Sequence, residues 1–137
     1  MKKNKPMKLT AAIVDDDKIF HFLMGIMLKE TDISSSPICL QNGEQFLQWW
    51  HGQKDSSEAF LIFLDLNMPL VDGWQVLDNL KSENSENIFV VIITSSIDPK
   101  DRKRAQSYPM VINFMVKPIV LQNLIDLRQS DLLSRYF

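Results

Sequence analysis

The sequence predicts an α/β domain built on a doubly wound, five-stranded parallel sheet with helices on both faces. Short apolar runs and helical segments alternate five times along the 137 residues. The apolar runs in the middle of the chain are continuous, which is typical of strands that are buried on both faces. Strands that alternate with helices are joined by right-handed crossovers, so they pair in parallel within one sheet.

The composition is that of an ordinary globular domain. Hydrophobic residues make up 45% of the chain and charged residues 23%, and the length suffices for one domain with a sizeable core. The net charge of -2 provides no global basic field, so we expect no nucleic-acid partner. Cys39 is the only cysteine, which excludes an internal disulfide. Because no signal peptide or membrane span is evident, we expect a cytoplasmic protein without a membrane partner.

The first half of the chain predicts two strands, each followed by a helix. Residues 1–7 are expected to be a flexible lead-in to the first strand, Leu9–Val14, which ends in three aspartates. Asp17 is placed to cap the helix that follows. This helix has apolar residues at helical spacing, namely Phe20, Leu23, Met24, Met27 and Leu28. The other strand is Ile38–Leu40, and the turn at residues 42–44 begins a second helix.

The second helix carries two adjacent tryptophans, Trp49 and Trp50. We predict that both are packing residues with one partly exposed edge, in preference to an aromatic ligand site. The third strand, Phe60–Leu64, runs directly into Asp65, and a turn-rich segment then leads to Asp72-Gly73. Five uninterrupted apolar residues favour a fully buried strand at this point.

Five further elements complete the predicted chain. They are a helix over Trp74–Lys81, a β-branched strand over Ile88–Ile93, a charged helix begun by Asp98-Pro99 and ended by Pro109, a strand over Ile112–Val116, and a helix over Ile119–Arg128. Residues 130–137 are expected to be a C-terminal tail or an extension of the last helix. The basic face of the charged helix is interpreted as solvated, with partner docking as the alternative. His21 is interpreted as an ordinary residue of a helix surface.

Polar side chains follow four of the five predicted strands. Asp15 and Asp16 follow the first strand, Asp65 the third, Thr94 the fourth and Lys117 the fifth. Because the carboxyl ends of parallel strands share one edge of the sheet, we expect these side chains to lie together. Crowded carboxylates raise each other's pKa unless a cation neutralises them. Mg²⁺ suits such oxygen ligands, and the lack of cysteine or an evident histidine argues against zinc.

A carboxylate in this setting has a recognisable chemistry. With a magnesium ion beside it, Asp65 can act as a nucleophile on phosphorus and form an aspartyl phosphate. The ammonium of Lys117 and the hydroxyl of Thr94 would then neutralise or bond the phosphoryl oxygens. A phosphohydrolase of the aspartyl-phosphate kind is the rival from another class. It requires a second acid two residues after the nucleophile, where this chain has Asn67.

Four short segments together resemble the receiver domain of two-component response regulators. They are Ile13–Asp17, Leu64–Pro69 with Asp72-Gly73, Thr94-Ser95 and Lys117-Pro118. The match covers about residues 8–129 and is similar to the stand-alone, chemotaxis-regulator type. The resemblance implies a flavodoxin-like fold with strand order 2-1-3-4-5 and one receiver domain over residues 8–129.

The resemblance also implies roles for the acidic residues. Asp65 is expected to be the phosphoacceptor and one of the ligands of Mg²⁺. Asp16 is expected to bind the ion directly, Asp15 to support it through water, and Asn67 to bind it with its backbone carbonyl.

The remaining implied roles concern the response to phosphorylation. Thr94 resembles the switch hydroxyl that turns toward the phosphoryl group, and Phe114 matches the aromatic switch position. Lys117 resembles the lysine that pairs with the phosphoryl group, and its bond to Pro118 is similar to one that is cis in the family.

The implied partner is a histidine kinase or a histidine phosphotransfer protein. The chain is expected to catalyse only its own phosphorylation and dephosphorylation, and so not to be an enzyme in the usual sense. We expect no output domain after the last predicted helix, which favours an unknown downstream protein or a phosphorylation-dependent homodimer. A phosphorelay intermediate, a receiver cut from a larger protein, and a degenerate receiver that only binds remain alternatives.

Overall fold

The computed structural model describes residues 8–137, so the predicted lead-in over residues 1–7 lies outside the described residues. Five parallel strands form one sheet in the order β2-β1-β3-β4-β5, which confirms the predicted fold. The elements are β1 (Leu9–Val14), α1 (Lys18–Glu30), β2 (Ile38–Leu40), α2 (Gly43–His51), β3 (Ala59–Asp65), α3 (Gly73–Glu83), β4 (Ile88–Thr94), α4 (Pro99–Ala105), β5 (Val111–Val116) and α5 (Leu121–Arg128).

Strand β3 lies at the centre of the sheet, and all seven of its residues are buried. It pairs with β1 on one side, where Val14 is opposite Leu64, and with β4 on the other, where Asp65 is opposite Ile93. A strand enclosed in this way can only carry a carboxylate where it leaves the apolar layers. Asp65 accordingly stands as the last residue of the strand.

The sheet separates two apolar cores. Helices α1 and α5 cover one face, with Met24, Leu28, Leu124 and Leu127 packed against side chains of the central strands. Helices α2, α3 and α4 cover the other face. Covering both faces explains why β1, β3 and β4 have continuous apolar sequences where an exposed sheet would show alternation.

Helix α1 begins as predicted but faces the sheet with a different stripe. Asp17 caps it, accepting a hydrogen bond from the backbone N–H of Ile19 at 2.9 Å. Its buried residues are His21, Met24 and Leu28, whereas Leu23 is 51% exposed. Leu23, an apolar position of the predicted helix, therefore does not belong to the buried stripe.

Trp49 and Trp50 are packing residues, as predicted. Trp50 stacks on Phe46 with ring centroids 6.2 Å apart, and its Nε1–H donates to Oε1 of Glu83 at 2.8 Å. The expected exposed edge is found only for Trp49, since Trp50 is fully buried. The hydrogen bond to Glu83 satisfies the indole N–H, so Trp50 can be buried without an unpaired donor.

Helix α4 is held to the domain differently from the other helices. Ala105 is its one buried residue. The guanidinium of Arg102 lies 4.7 Å from the centre of the Phe114 ring in β5, and that of Arg104 lies 4.1 Å from the Trp74 ring in α3. Two cation–π contacts therefore do much of what apolar side chains do for the other helices.

The chain beyond α5 forms a tail that packs onto the domain. A 3₁₀-helix over Ser134–Tyr136 follows a turn, so α5 is not extended. Leu133 is fully buried in the core beneath α1 and α5, and Tyr136 packs edge-on against Phe89. Within residues 8–137, none of the helices is long and apolar enough to cross a membrane.

Candidate functional site: an acidic cluster with a lysine

The strand register brings the predicted site residues to one edge of the sheet. Asp15 directly follows β1, and Asp65 ends β3. Thr94 ends β4 and pairs with Val116 of β5, and Lys117 comes next in the chain. The common direction of the strands places all of these ends at the carboxyl edge, as the sequence predicted.

Three carboxylates meet at this edge. Asp15, Asp16 and Asp65 each offer an oxygen, and these oxygens all lie within 4.8 Å of one another. Asp15 and Asp65 are buried, with 1% and 6% of their surfaces exposed, while Asp16 is exposed to solvent. A set made only of carboxylate oxygens fits a hard divalent cation such as Mg²⁺, and one exposed ligand leaves room for water on the ion.

Burial and charge both act on Asp65. Removal from water raises the pKa of Asp65 to about 6, and repulsion from Asp15 and, less strongly, from Asp16 acts in the same direction. The backbone N–H of Asn67 donates to its Oδ1 at 3.2 Å, and this bond, with the charge of Lys117, lowers the pKa in part. Ionisation of Asp65 is therefore disfavoured in the folded protein, and a bound cation would reduce this penalty.

Contacts to the end of β1, to α1 and to β4 hold Lys117 in place. Its Nζ donates to Oδ2 of Asp15 at 2.7 Å and lies 4.4 Å from the centre of the Phe20 ring. Its backbone N–H donates to the carbonyl oxygen of Thr94 at 2.8 Å, and the bond to Pro118 is cis, as expected. The ammonium is thus close to the acids but is paired with Asp15.

The two predicted switch residues occupy adjacent strands. Thr94 is fully buried, and its Oγ1 accepts a hydrogen bond from the backbone N–H of Ser96 at 3.0 Å. Phe114 is half-buried and lies beneath Arg102, beside a cavity of about 330 Å³ that Ser96 and Pro99 also line. Their roles as switch residues stay predictions, as does the metal-binding role of the Asn67 carbonyl.

Gly73 allows α3 to begin close to Asp65 at the end of β3. Asp72 caps this helix in a capping box with Gln75, and the N–H of Gly73 donates to the carbonyl oxygen of Leu66 at 3.0 Å. A Cβ atom at residue 73 would lie 2.6 Å from the carbonyl oxygen of Asp65 and 2.7 Å from Cα of Leu66. Backbone atoms cannot move aside as a side chain can, so the close approach requires glycine.

We therefore expect Gly73→Ala to destabilise the domain by about 1–3 kcal/mol, because the added methyl group forces the end of β3 to shift. Urea unfolding in the absence of metal measures this change. Gly25→Ala is the matched control, since a Cβ at residue 25 meets nothing within 4 Å and alanine favours the helix. Equal stability of the two variants would contradict the proposed crowding at Gly73.

The prediction for His21 was wrong. His21 is 8% exposed, and its Nε2 lies 2.7 Å from the carbonyl oxygen of Asp15. The sequence does contain a signal for this placement, because His21 precedes the buried Met24 and Leu28 by three and seven residues. Its polar side chain concealed its position in the stripe. Phe20, an apolar position of the predicted helix, also contributes to the site because its ring lies beneath the Lys117 ammonium.

A doubly wound parallel sheet with three carboxylates, a buried hydroxyl and a lysine at its carboxyl edge defines the receiver class of signalling domains. The chain belongs to the response regulator receiver domain family, whose model matches residues 11–129. Receivers of this family act in two-component signalling with histidine kinases or phosphotransfer proteins.

Two curated relatives and one solved structure illustrate the similarity. Response regulator Rcp1 of Synechocystis sp. is 32% identical over 123 residues, which cover 86% of this chain and 82% of that protein. The probable methanogenesis regulatory protein FilR2 of Methanothrix harundinacea is 38% identical over 65 residues, covering 47% of this chain and only 41% of FilR2. A two-component response regulator from Cytophaga hutchinsonii shares the fold, with a TM-score of 0.78 at 23% identity over 88% of this chain and 94% of that one.

Proposed function

We propose that this chain is a cytoplasmic phosphorylation switch. It accepts a phosphoryl group on Asp65 from a phosphohistidine of a kinase or a phosphotransfer protein, in a reaction that depends on Mg²⁺. It catalyses its own phosphorylation and dephosphorylation and has no other substrate. The phosphoryl group then alters a surface that a downstream protein binds.

One observation carries this proposal. Asp65 is fixed at the end of the central strand, and oxygens of Asp15 and Asp16 lie within 4.8 Å of its own carboxylate oxygen. Such a cluster repels itself, as the raised pKa of Asp65 reflects. A purely structural role would not require three acids at one point, whereas a site for a cation and a phosphoryl group does.

Asp15, Asp16 and Asp65 would hold Mg²⁺, with the Asn67 carbonyl as a further ligand. When bound there, the ion supplies positive charge against the carboxylates and against the phosphoryl oxygens of the donor. The absence of a second acid two residues after Asp65, where Asn67 stands, supports a stable switch over a hydrolase.

The transfer itself uses the side chains of this chain. A carboxylate oxygen of Asp65 forms the new bond to phosphorus while the nitrogen–phosphorus bond of the phosphohistidine breaks, and its electron pair returns to the imidazole nitrogen. The carboxylate is ionised above a pH of about 6. Lys117, now paired with Asp15, would exchange that partner for a phosphoryl oxygen, and charge-assisted hydrogen bonds of this kind are the strong ones.

The response begins at Thr94. Its hydroxyl gives up the hydrogen bond from the Ser96 N–H and turns toward the phosphoryl group, and Phe114 fills the space that it leaves. Phe114 then leaves the Arg102 guanidinium, which lies 4.7 Å from its ring in the present structure. A local charge change would thus alter the surface formed by β4, β5 and α4.

The proposal is tested by incubating the protein with phosphoramidate, a small donor with the nitrogen–phosphorus bond of phosphohistidine. Intact-protein mass spectrometry should show one phosphoryl group per chain in millimolar MgCl₂ and none in excess chelator. No incorporation with magnesium, or equal incorporation with chelator, would refute the proposed function.

A further inference from the structure

We infer that His21 is a positioning residue for the acidic cluster, an inference that rests on the proposed function. The residue belongs to helix α1, but its Nε2 lies 2.7 Å from the carbonyl oxygen of Asp15. His21 thereby connects the first helix to the first two acids of the site.

The burial of His21 shows that its ring is directed inward. Only 8% of its surface is exposed, and it shares the buried stripe of α1 with Met24 and Leu28. Among the described residues, its Nδ1 is buried without a hydrogen-bond partner. A leucine would fill the same stripe without burying an unpaired nitrogen, so packing alone does not favour histidine here.

The hydrogen bond fixes the form of the ring. A carbonyl oxygen can only accept, so Nε2 must carry the proton and donate it. A neutral ring then has an unprotonated Nδ1, in agreement with the absence of an acceptor beside that atom. His21 therefore acts as a fixed donor to one backbone atom.

That backbone atom has unusual importance for the site. The carbonyl of Asp15 belongs to the planar peptide unit that joins Asp15 to Asp16, so holding its direction constrains both residues at once. Asp15 is also held by its ion pair with Lys117 at 2.7 Å. Asp16 is exposed, and the described residues give its side chain no hydrogen bond, so its placement depends on the backbone.

The peptide unit lies one residue beyond β1, which ends at Val14. The hydrogen bond from His21 therefore restrains the backbone just beyond the last residue of β1. Groups that orient metal ligands in this way affect metal affinity without touching the ion.

The test compares two substitutions. His21→Leu keeps an apolar filling but removes the donor, and we expect it to weaken Mg²⁺ binding about tenfold in calorimetric titration of the otherwise intact protein. His21→Gln places a side-chain N–H within similar reach of the carbonyl and should bind Mg²⁺ within about threefold of the wild type on the same reasoning. Leu133→Ala, in the same core, controls for a general loss of stability.

A metal-free measurement accompanies the titrations. Long-range ¹H–¹⁵N spectra should show the Nε2–H tautomer of His21. Wild-type affinity in His21→Leu, or equal loss in His21→Gln and His21→Leu, would overturn the inference, and so would the Nδ1–H tautomer. If the wild type itself neither binds Mg²⁺ nor accepts a phosphoryl group, the proposed function fails as well. Failure of the variants alone leaves that function standing.

Discussion

Replacement of Asp65 by asparagine is expected to abolish phosphoryl incorporation from phosphoramidate in MgCl₂. Asparagine has nearly the same shape, and its Oδ1 can still accept the hydrogen bond that the Asn67 N–H gives to Asp65 at 3.2 Å. Its neutral amide, however, is not a nucleophile toward phosphorus. The loss should therefore be complete, with no more than background mass change in intact-protein mass spectrometry.

The matched control is Asp126→Asn, which removes one exposed carboxylate from α5 and should be labelled as the wild type is. Persistent incorporation at a single site in the Asp65→Asn protein would show that another residue accepts the phosphoryl group. Loss of labelling in both variants would point to a general effect of charge on the reaction.

The same substitution should stabilise the metal-free protein at neutral and alkaline pH. The pKa of Asp65 rises from an ordinary 3.8 to about 6 on folding, so the ionised form is disfavoured in the native state. Each pKa unit corresponds to about 1.4 kcal/mol, which sets an upper value of roughly 3 kcal/mol for the gain on removing the charge. Relief of repulsion from Asp15 and Asp16 contributes part of this gain.

The pH dependence has a definite sign. The native protein binds the Asp65 proton more tightly than the unfolded chain, so wild-type stability from this group is greatest below about 3.8 and falls as the pH rises through about 6. The advantage of Asp65→Asn should therefore be largest at pH 8 and roughly half as large at pH 5.

Urea unfolding in chelator at the two pH values measures these differences. Excess MgCl₂ should stabilise the wild type more than the variant and so narrow the gap at pH 8. If Asp65→Asn were less stable than the wild type at pH 8 without metal, the ionised Asp65 carboxylate would not destabilise the folded protein as its raised pKa implies.

The sheet was predictable because its continuous apolar runs are too short for buried helices and are bounded by polar turn residues, which favours strands buried on both faces. Phe60–Leu64 is such a run, and the structure extends the strand by one residue at each end, with Asp65 closing it. The carboxyl-edge rule then brought Asp15, Asp65 and Lys117 together without any knowledge of loop conformation. The rule does not predict which of these side chains form ion pairs with one another, such as Lys117 with Asp15 at 2.7 Å.

The orientation of α1 was not predictable by the same means. Helix α1 carries exposed apolar residues, among them Ile19 at 70% and Phe22 at 68%, besides those that face the sheet. When apolar residues occur around much of a helix, their spacing no longer identifies the buried face. The spacing of His21 from Met24 and Leu28 is therefore only one of several stripes that the helix offers, and the polar side chain of His21 favoured the others.

The few contacts that hold α4 against the domain determine how often the helix is displaced from it. One buried alanine and two cation–π contacts at a partly exposed surface amount to roughly 2–3 kcal/mol, with about 0.5–1 kcal/mol for each contact and somewhat less than 1 kcal/mol for the methyl group. An energy of that size would leave a displaced form of the helix at about one molecule in a hundred in the unmodified protein. A downstream protein that prefers the displaced helix would then select molecules already in that form.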